Sequence, residues 1–259
     1  MEVMKSFSLE GKVALVTGGA GLYGRQIVEA IAEAGAVTYT ASRNLQAQEL
    51  LAQTLADKGL EVIPLRMDQG DEASVLEARD AVLARSGKID ILVNNAVARP
   101  LKNGWQSDVT AFAESMRINA TGVFTVTRAM GDCMSDGGSI INIGSMQGMI
   151  GPDPTIYEGC GFDGWSPDYF FHKGGMINLT RFVASYYGER GIRCNCISPG
   201  GFQAEYMPER FIRQYSARTF LGRLANGTDL KGIVVFLASD ASAYVTGTNI
   251  PVDGGYTAK

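Results

Sequence analysis

Histidine, cysteine and clustered positive charge are all scarce in this chain, and each shortage removes a class of answer. A single histidine, His172, in 259 residues excludes a histidine-rich metal site and leaves a Ser-His-Asp hydrolase no other base. Its place inside the turn from Tyr169 to Lys173 marks it as an ordinary helix position. The four cysteines, Cys133, Cys160, Cys194 and Cys196, repeat no zinc-ligand spacing, and the last two sit in an apolar strand-like run, so buried thiols and no metal are expected. Lys and Arg number 23 against 27 Asp and Glu, for a formal charge of -4 and a pI near 5.2, and no basic run is present. That balance argues against a nucleic-acid or anionic-membrane surface and in favour of a small-molecule partner. No apolar stretch approaches the ~20 residues of a membrane span, and Met1 to Ser6 lacks the apolar core of a secretory signal, so a cytoplasmic protein is expected.

What the chain does have is short apolar runs in a regular alternation. At 46% hydrophobic and 19% charged, its length suits one large α/β domain with a substantial core, residues 1–259. Strands are read at Val13 to Val16, Val37 to Thr40, Val62 to Met67, Ile89 to Val93, Ser139 to Ile143, Arg193 to Ile197 and Asn249 to Val252. Helices are read near Arg25 to Ala34, Leu45 to Asp57, Glu72 to Ala84, Ala111 to Cys133 with a break, Tyr169 to Tyr187 and Asp229 to Leu237. This order predicts a Rossmann-like, doubly wound parallel sheet with helices on both faces. Ligands of such sheets bind outside the carboxyl ends of the strands, which directs attention to the loops after Val16, Thr40, Met67, Val93, Ile143 and Ile197. Gly35, Gly59 and Gly188 fall where helix ends favour a positive φ.

Two local patterns carry chemistry. Tyr169 and Lys173, in Y-F-F-H-K, are one helical turn apart, which sets a phenol beside an ammonium. A neighbouring Lys⁺ favours the phenolate and draws a Tyr pKa down from its usual ~10, making the oxygen a usable general acid/base. Near the N-terminus the strand-like Val13 to Val16 runs straight into Thr17-Gly18-Gly19-Ala20-Gly21-Leu22-Tyr23-Gly24, followed by a helix. Strand, glycine-rich turn and helix in that order let a backbone approach a pyrophosphate at a helix N-terminus.

With Asn94-Asn95-Ala96, Asn119, Asn142 to Ser145, Ser198-Pro199-Gly200 and the closing Val252 to Gly255, these patterns resemble a classical short-chain dehydrogenase/reductase from about Leu9 to Tyr256. The resemblance implies hydride transfer between a nicotinamide and a carbonyl or alcohol carbon, with Tyr169 moving the proton, Ser145 holding the substrate oxygen, and Lys173 holding the ribose and acidifying Tyr169. Asn119 would support a water that relays protons to Lys173. The cofactor would rest on Gly18, Gly21, Leu22, Tyr23 and Gly24, on Ser42 and Arg43, on Asp68 and Gln69, on Asn95, Ala96 and Val97, on Pro199, Gly200 and Phe202, and on Tyr169 and Lys173. Arg43 stands where enzymes that prefer NAD often carry an acid. A guanidinium can pair with a 2′-phosphate, which favours NADP(H) and keeps NAD(H) possible. The family also implies a homotetramer or homodimer, built on the helices from Ala111 and from Tyr169.

The chain departs from the family at the glycine turn and in the gap before Tyr169, and also at Val97, where a glycine is usual, and Ala204, where a Thr is frequent. Leu22 occupies the middle glycine position of T-G-x-x-x-G-x-G, giving the T-G-x-x-G-x-x-G of extended members such as nucleotide-sugar epimerases and dehydratases. Ser145 and Tyr169 are 24 positions apart, where classical members place them roughly a dozen apart. The residues after Pro199 leave no room for the substrate domain of extended enzymes, so a classical core with a lengthened substrate loop, 146–168, and a second substrate-loop region, 201–227, is expected. Gln147, Asp153, Tyr157, Glu158, Asp163, Trp165 and Asp168 in or beside that loop suit a polyol, a keto sugar or a sugar derivative, with Ser145, Gln147, Glu158 and Tyr169 as substrate contacts. A solvated loop or a subunit contact is the competing reading of the insertion. An epimerase or dehydratase with retained nicotinamide, and a non-catalytic NADP(H) sensor, are the alternatives for function.

Overall fold

Seven strands form one parallel sheet in the order β3-β2-β1-β4-β5-β6-β7 in the computed structural model, which describes residues 2–161 and 166–258. The strands are β1 (Val13–Thr17), β2 (Val37–Ser42), β3 (Val62–Arg66), β4 (Ile91–Asn94), β5 (Ser139–Ile143), β6 (Arg193–Pro199) and β7 (Asn249–Val252). Their apolar runs are nearly unbroken because both faces are covered. Side chains alternate between faces. Leu15, Leu92 and Ile140 therefore enter one core with Val75, Met130 and Val183, while Val16, Val93 and Ile141 enter the other with Ile27, Ile31 and Val234. The helices responsible are α1 (Leu22–Glu33), α2 (Leu45–Ala56), α3 (Glu72–Ser86), α4 (Val109–Met116), α5 (Gly122–Gly131), α6 (Pro167–Tyr186), α7 (Glu209–Ser216) and α8 (Lys231–Ala238).

The chain lays down β1, β2 and β3 outward in one direction and then crosses to place β4 on the other side of β1. A crevice therefore opens between the loops that leave β1 and β4, the usual ligand position in such sheets. A buried polar ladder joins this centre to the helices. Asn94 Nδ2 donates to Asn142 Oδ1 (2.8 Å) and Thr127 Oγ1 (2.9 Å), and Asn142 Nδ2 donates to Thr180 Oγ1 (2.9 Å).

The sequence expectations hold for the strands and most helices, with instructive differences. The anticipated break in the helix from Ala111 is a π-helical segment, Arg117–Thr121, between α4 and α5. Gly35 and Gly59 have positive φ, but Gly188 does not. It opens a 3-10 turn, Gly188–Arg190, and Gly191 (φ 66°) is the residue that takes the left-handed conformation after it. Helix α7 was not anticipated. Its Phe211 and Tyr215 pack with Met146, Ile156, Leu224 and Tyr256 in a third, smaller core that joins the 146–168 segment to the 201–227 segment.

Candidate active site

The glycine-rich turn works by close approach. Gly18 has φ 69°, and a Cβ there would lie 2.8 Å from Ala96 Cα; a Cβ on Gly24 would lie 2.3 Å from the Gly18 carbonyl oxygen. The turn and the loop after β4 are laced together, because Thr17 Oγ1 accepts from Asn95 N (3.0 Å) and Ala96 N (2.9 Å), while Asn95 Nδ2 donates to the carbonyls of Thr17 (3.0 Å) and Gly18 (2.9 Å). Helix α1 starts at Leu22 rather than Arg25, so Leu22, Tyr23 and Gly24 form its first turn and aim its N-terminus at the crevice. Tyr23 reaches across to donate to Gly200 O (2.8 Å) and meets Phe202 edge-on at 5.3 Å, which ties the loop after β6 to the turn.

These loops enclose a cleft of about 990 Å³, lined by every residue that the resemblance assigns to the cofactor, from Gly18 to Phe202. A glycine turn without room for a Cβ at Gly24, set against a helix N-terminus, fits a dinucleotide pyrophosphate. Arg43 is exposed at the rim and makes no ion pair among the described residues. Ser42 is held by Gln48, whose Nε2 donates to its Oγ (2.9 Å). Asp68 accepts from Gly70 N (2.9 Å) and Gln69 donates to Ile118 O (3.0 Å), so the loop after β3 is fixed to the π segment.

The reacting groups converge at one end of the cleft. Helix α6 opens with Pro167 at its first position, which is preset for helix. Tyr169 lies in that first turn and Lys173 one turn on, its Nζ 5.7 Å from the Tyr169 ring centre. Lys173 is buried and donates to Ile143 O (2.5 Å). Burial pushes its pKa below the usual lysine range, the Tyr169 phenol opposes that shift, and the Arg99 charge adds to it. Ser145, buried at the end of β5, accepts from Gln147 N (3.2 Å), so its O–H remains a donor toward the cleft that both it and Tyr169 line. The capping and substrate-facing readings of Ser145 are thus compatible.

Asn119 is placed differently. It does not line the cleft; its Oδ1 accepts from Ala98 N (2.8 Å) and its Nδ2 donates to Ala98 O (2.8 Å) and Ser115 Oγ (2.9 Å). Glu158, expected as a substrate contact, is not among the residues that line the cleft. The insertion packs Tyr157 against Phe211 (5.4 Å between ring centres), and this turns Tyr157 into the cleft wall while Glu158 is exposed outside it. Asp153 pairs with Arg218 (3.1 Å), and Asp168 is buried beneath the helix start. Gln147 lines the cleft; Asp163 and Trp165 lie outside the described residues. Cys194 and Cys196 are buried, whereas Cys133 and Cys160 are partly exposed. His172 is buried, meets the Tyr169 ring edge-on at 5.2 Å, and among the described residues neither ring nitrogen has the hydrogen-bond partner that the base of a triad needs.

Several lining residues escaped the sequence reading. Arg99 stacks over the Tyr169 ring, its Cζ 4.0 Å from the ring centre. Tyr206, Met207, Phe211 and Tyr215 close the far wall. The aromatic pair at 211 and 215, one helical turn apart, was the available signal for α7.

A family profile described as enoyl-(acyl carrier protein) reductase matches residues 21–257. A crystal structure of a short-chain type dehydrogenase/reductase from Mycobacterium marinum is 31% identical, covers 100% of both chains and superposes with a TM-score of 0.88. The chain belongs to the short-chain dehydrogenase/reductase family. D-threitol dehydrogenase of Mycolicibacterium smegmatis is 34% identical, across 98% of this chain and 95% of that relative. A gluconate 5-dehydrogenase from Burkholderia cenocepacia, solved in complex with NADP and tartrate, is 31% identical over 100% of both chains, with a TM-score of 0.87. As a member of the short-chain dehydrogenase/reductases, the protein is an NAD(P)-dependent oxidoreductase acting on CH–OH donors.

Proposed function

We propose that this enzyme interconverts a secondary alcohol and a ketone of a small polyhydroxylated compound, a polyol, keto sugar or sugar derivative, with NADP(H) as its cofactor. The observation that carries the reading is that Ser145, Tyr169 and Lys173 line the same cleft as the glycine turn and Arg43. D-threitol dehydrogenase and gluconate 5-dehydrogenase among the relatives support a polyhydroxylated substrate. Arg43, an unpaired guanidinium after β2, supports NADP(H) through its match to a 2′-phosphate, and the relative solved with NADP agrees.

When bound, the nicotinamide accepts or supplies the hydride. In the oxidation direction the carbinol O–H passes its proton to the Tyr169 oxygen as the carbon loses hydride and the C=O forms; reduction reverses both transfers. Ser145 O–H donates to the substrate oxygen and stabilises charge developing there. The Lys173 ammonium, held by Ile143 O, keeps a positive charge beside the Tyr169 ring and can donate to ribose hydroxyls. Asn119 acts at one remove, by holding Ala98 and with it the loop that carries Arg99. Gln147 and Tyr157 of the insertion, with Tyr206, Met207, Phe211 and Tyr215 of the 201–227 segment, form the substrate wall. Exposed aromatic surface on α6, at Phe171, Phe182 and Tyr186, supports a homodimer or homotetramer. A cytoplasmic location fits a protein in which no described helix is long and apolar enough to cross a membrane.

The test is nicotinamide absorbance during turnover of a panel of polyols, sugars and ketones, with wild type and Tyr169→Phe. The expected loss in the variant is on the order of 10² to 10⁴-fold in kcat with cofactor affinity retained. Turnover that survives in Tyr169→Phe refutes the reading, and so does bound nucleotide with no net absorbance change.

A further inference from the structure

We propose that the substrate carries a carboxylate and that Arg99 receives it, so that the enzyme works on polyhydroxy acids and their keto acids in preference to neutral polyols. The proposal rests on the oxidoreductase reading above and narrows it.

Arg99 lies in the loop after β4, on the wall of the cleft, with its guanidinium stacked over the Tyr169 ring. Among the described residues it makes no ion pair and no hydrogen bond. Stacking satisfies the face of a guanidinium but leaves its N–H edge donors outward, as a planar fork suited to two carboxylate oxygens. Among the described residues, four charged side chains line the cleft: Arg43, Asp68, Arg99 and Lys173. Asp68 is on the loop after β3 and already accepts from Gly70 N (2.9 Å). The reacting end therefore holds two cations and, among the described residues, no carboxylate. The Arg99 charge adds to the downward shift of the Lys173 pKa, for which burial is the largest cause. An oxidised nicotinamide ring is itself positive, so oxidation would begin with charge of one sign gathered around the carbinol. An anionic substrate relieves that repulsion.

The chemistry favours carboxylate over phosphate. A monoanion matches a single guanidinium fork, whereas a phosphate dianion calls for a second available cation. Lys173 is buried, with one N–H on Ile143 O (2.5 Å) and the others assigned above to the ribose hydroxyls. Because Arg99 Cζ is 4.0 Å from the centre of the ring that bears the reacting phenol, the carboxylate and the carbinol must lie a few bonds apart in one small molecule.

The experiment compares kcat/KM for gluconate, glucitol and glucitol 6-phosphate with NADP⁺ and with NAD⁺, in wild type, Arg99→Ala and Arg99→Lys. Wild type is expected to favour the acid over the neutral hexitol by at least about tenfold, consistent with a charge-assisted bidentate contact. Arg99→Ala should cut the acid-to-hexitol ratio about tenfold or more, chiefly through KM, and Arg99→Lys should restore part of it. A ratio unchanged in Arg99→Ala overturns the proposal, as does a wild type that prefers the hexitol or the phosphate. Calorimetric titration of tartrate into the NADP⁺ complex reads the same site without turnover: binding lost in Arg99→Ala supports the proposal, and no binding to wild type overturns it. If no alcohol in any panel is oxidised, the oxidoreductase reading fails while the tartrate titration still decides the anion site.

Discussion

His172 should make this protein acid-sensitive over a defined pH window. The side chain is buried, 4% exposed, and neither ring nitrogen has a hydrogen-bond partner among the described residues. Burial is the largest cause that pushes its pKa from 6.5 down to about 3, the Lys173 charge acts in the same direction, and Asp168 opposes them. In the folded protein the ring is therefore neutral from neutral pH down to that value. The unfolded chain takes up a proton below its ordinary pKa, so the unfolded state binds more protons through this window and stability falls as the pH falls. The loss from this one group is about 1.4 kcal/mol at about pH 5.5 and about 2.7 kcal/mol at about pH 4.5, relative to about pH 7.5. His172→Phe keeps a ring in the site and cannot be protonated. Its cost or gain of packing is independent of pH and cancels from the slope, and removing two unpartnered nitrogens offsets part of any strain. Urea unfolding of wild type and variant across those pH values reads the difference in slope. Parallel stability curves would refute the reasoning and place the folded-state pKa of His172 near its ordinary value.

Two further outcomes follow from the cofactor end of the cleft. Gly24→Ala drives a Cβ to 2.3 Å from Gly18 O and 2.7 Å from Gly19 O. Neither backbone atom can yield without reshaping the turn, so a loss of about 1–3 kcal/mol in stability and weaker NADPH binding by fluorescence titration are expected; unaltered binding would refute the cradle assigned to the turn. Arg43→Asp should lower the ratio of kcat/KM for NADP⁺ over NAD⁺ by about tenfold or more, by removing a charge-assisted contact and adding a repulsive one. A ratio that does not move removes Arg43 from cofactor selection.

The parts of the molecule legible in the sequence are those specified by neighbours in the chain. Short apolar runs punctuated by glycine marked all seven strands, because strands covered on both faces carry little polar residue to confuse the pattern. The glycine turn and the Tyr169 to Lys173 spacing were legible for the same reason. What escaped depends on contacts distant in sequence. Glu158 and Tyr157 are adjacent, and it is Tyr157, packed on Phe211, that lines the cleft. Helix α7 spans eight residues and buries Phe211 and Tyr215, so their one-turn spacing stands as an isolated signal rather than a repeated one. Arg99 reads as a loop cation until the fold brings it over a ring seventy positions later. Gly188 and Gly191 are interchangeable by composition, and the 3-10 turn between them selects the second.

The encounter of Arg99 with Tyr169 is imposed by a hydrogen-bonded chain that neither residue belongs to. Asp168, immediately before Tyr169, is buried and accepts from Ser166 Oγ (2.6 Å) and Ser115 Oγ (2.5 Å). Ser115 in turn accepts from Asn119 Nδ2 (2.9 Å), and Asn119 holds both backbone groups of Ala98, immediately before Arg99. Ser115 and Asn119 are four positions apart, across the junction of α4 with the π segment. One consequence bears on the chemistry. Both amide hydrogens of Asn119 are occupied, so a water that approaches this residue finds only the second lone pair of Oδ1. The side chain is accordingly a strut between the catalytic helix and the loop after β4. It ties the loop that carries Arg99, through Ser115 and Asp168, to the helix that carries Tyr169, with both of its amide hydrogens engaged.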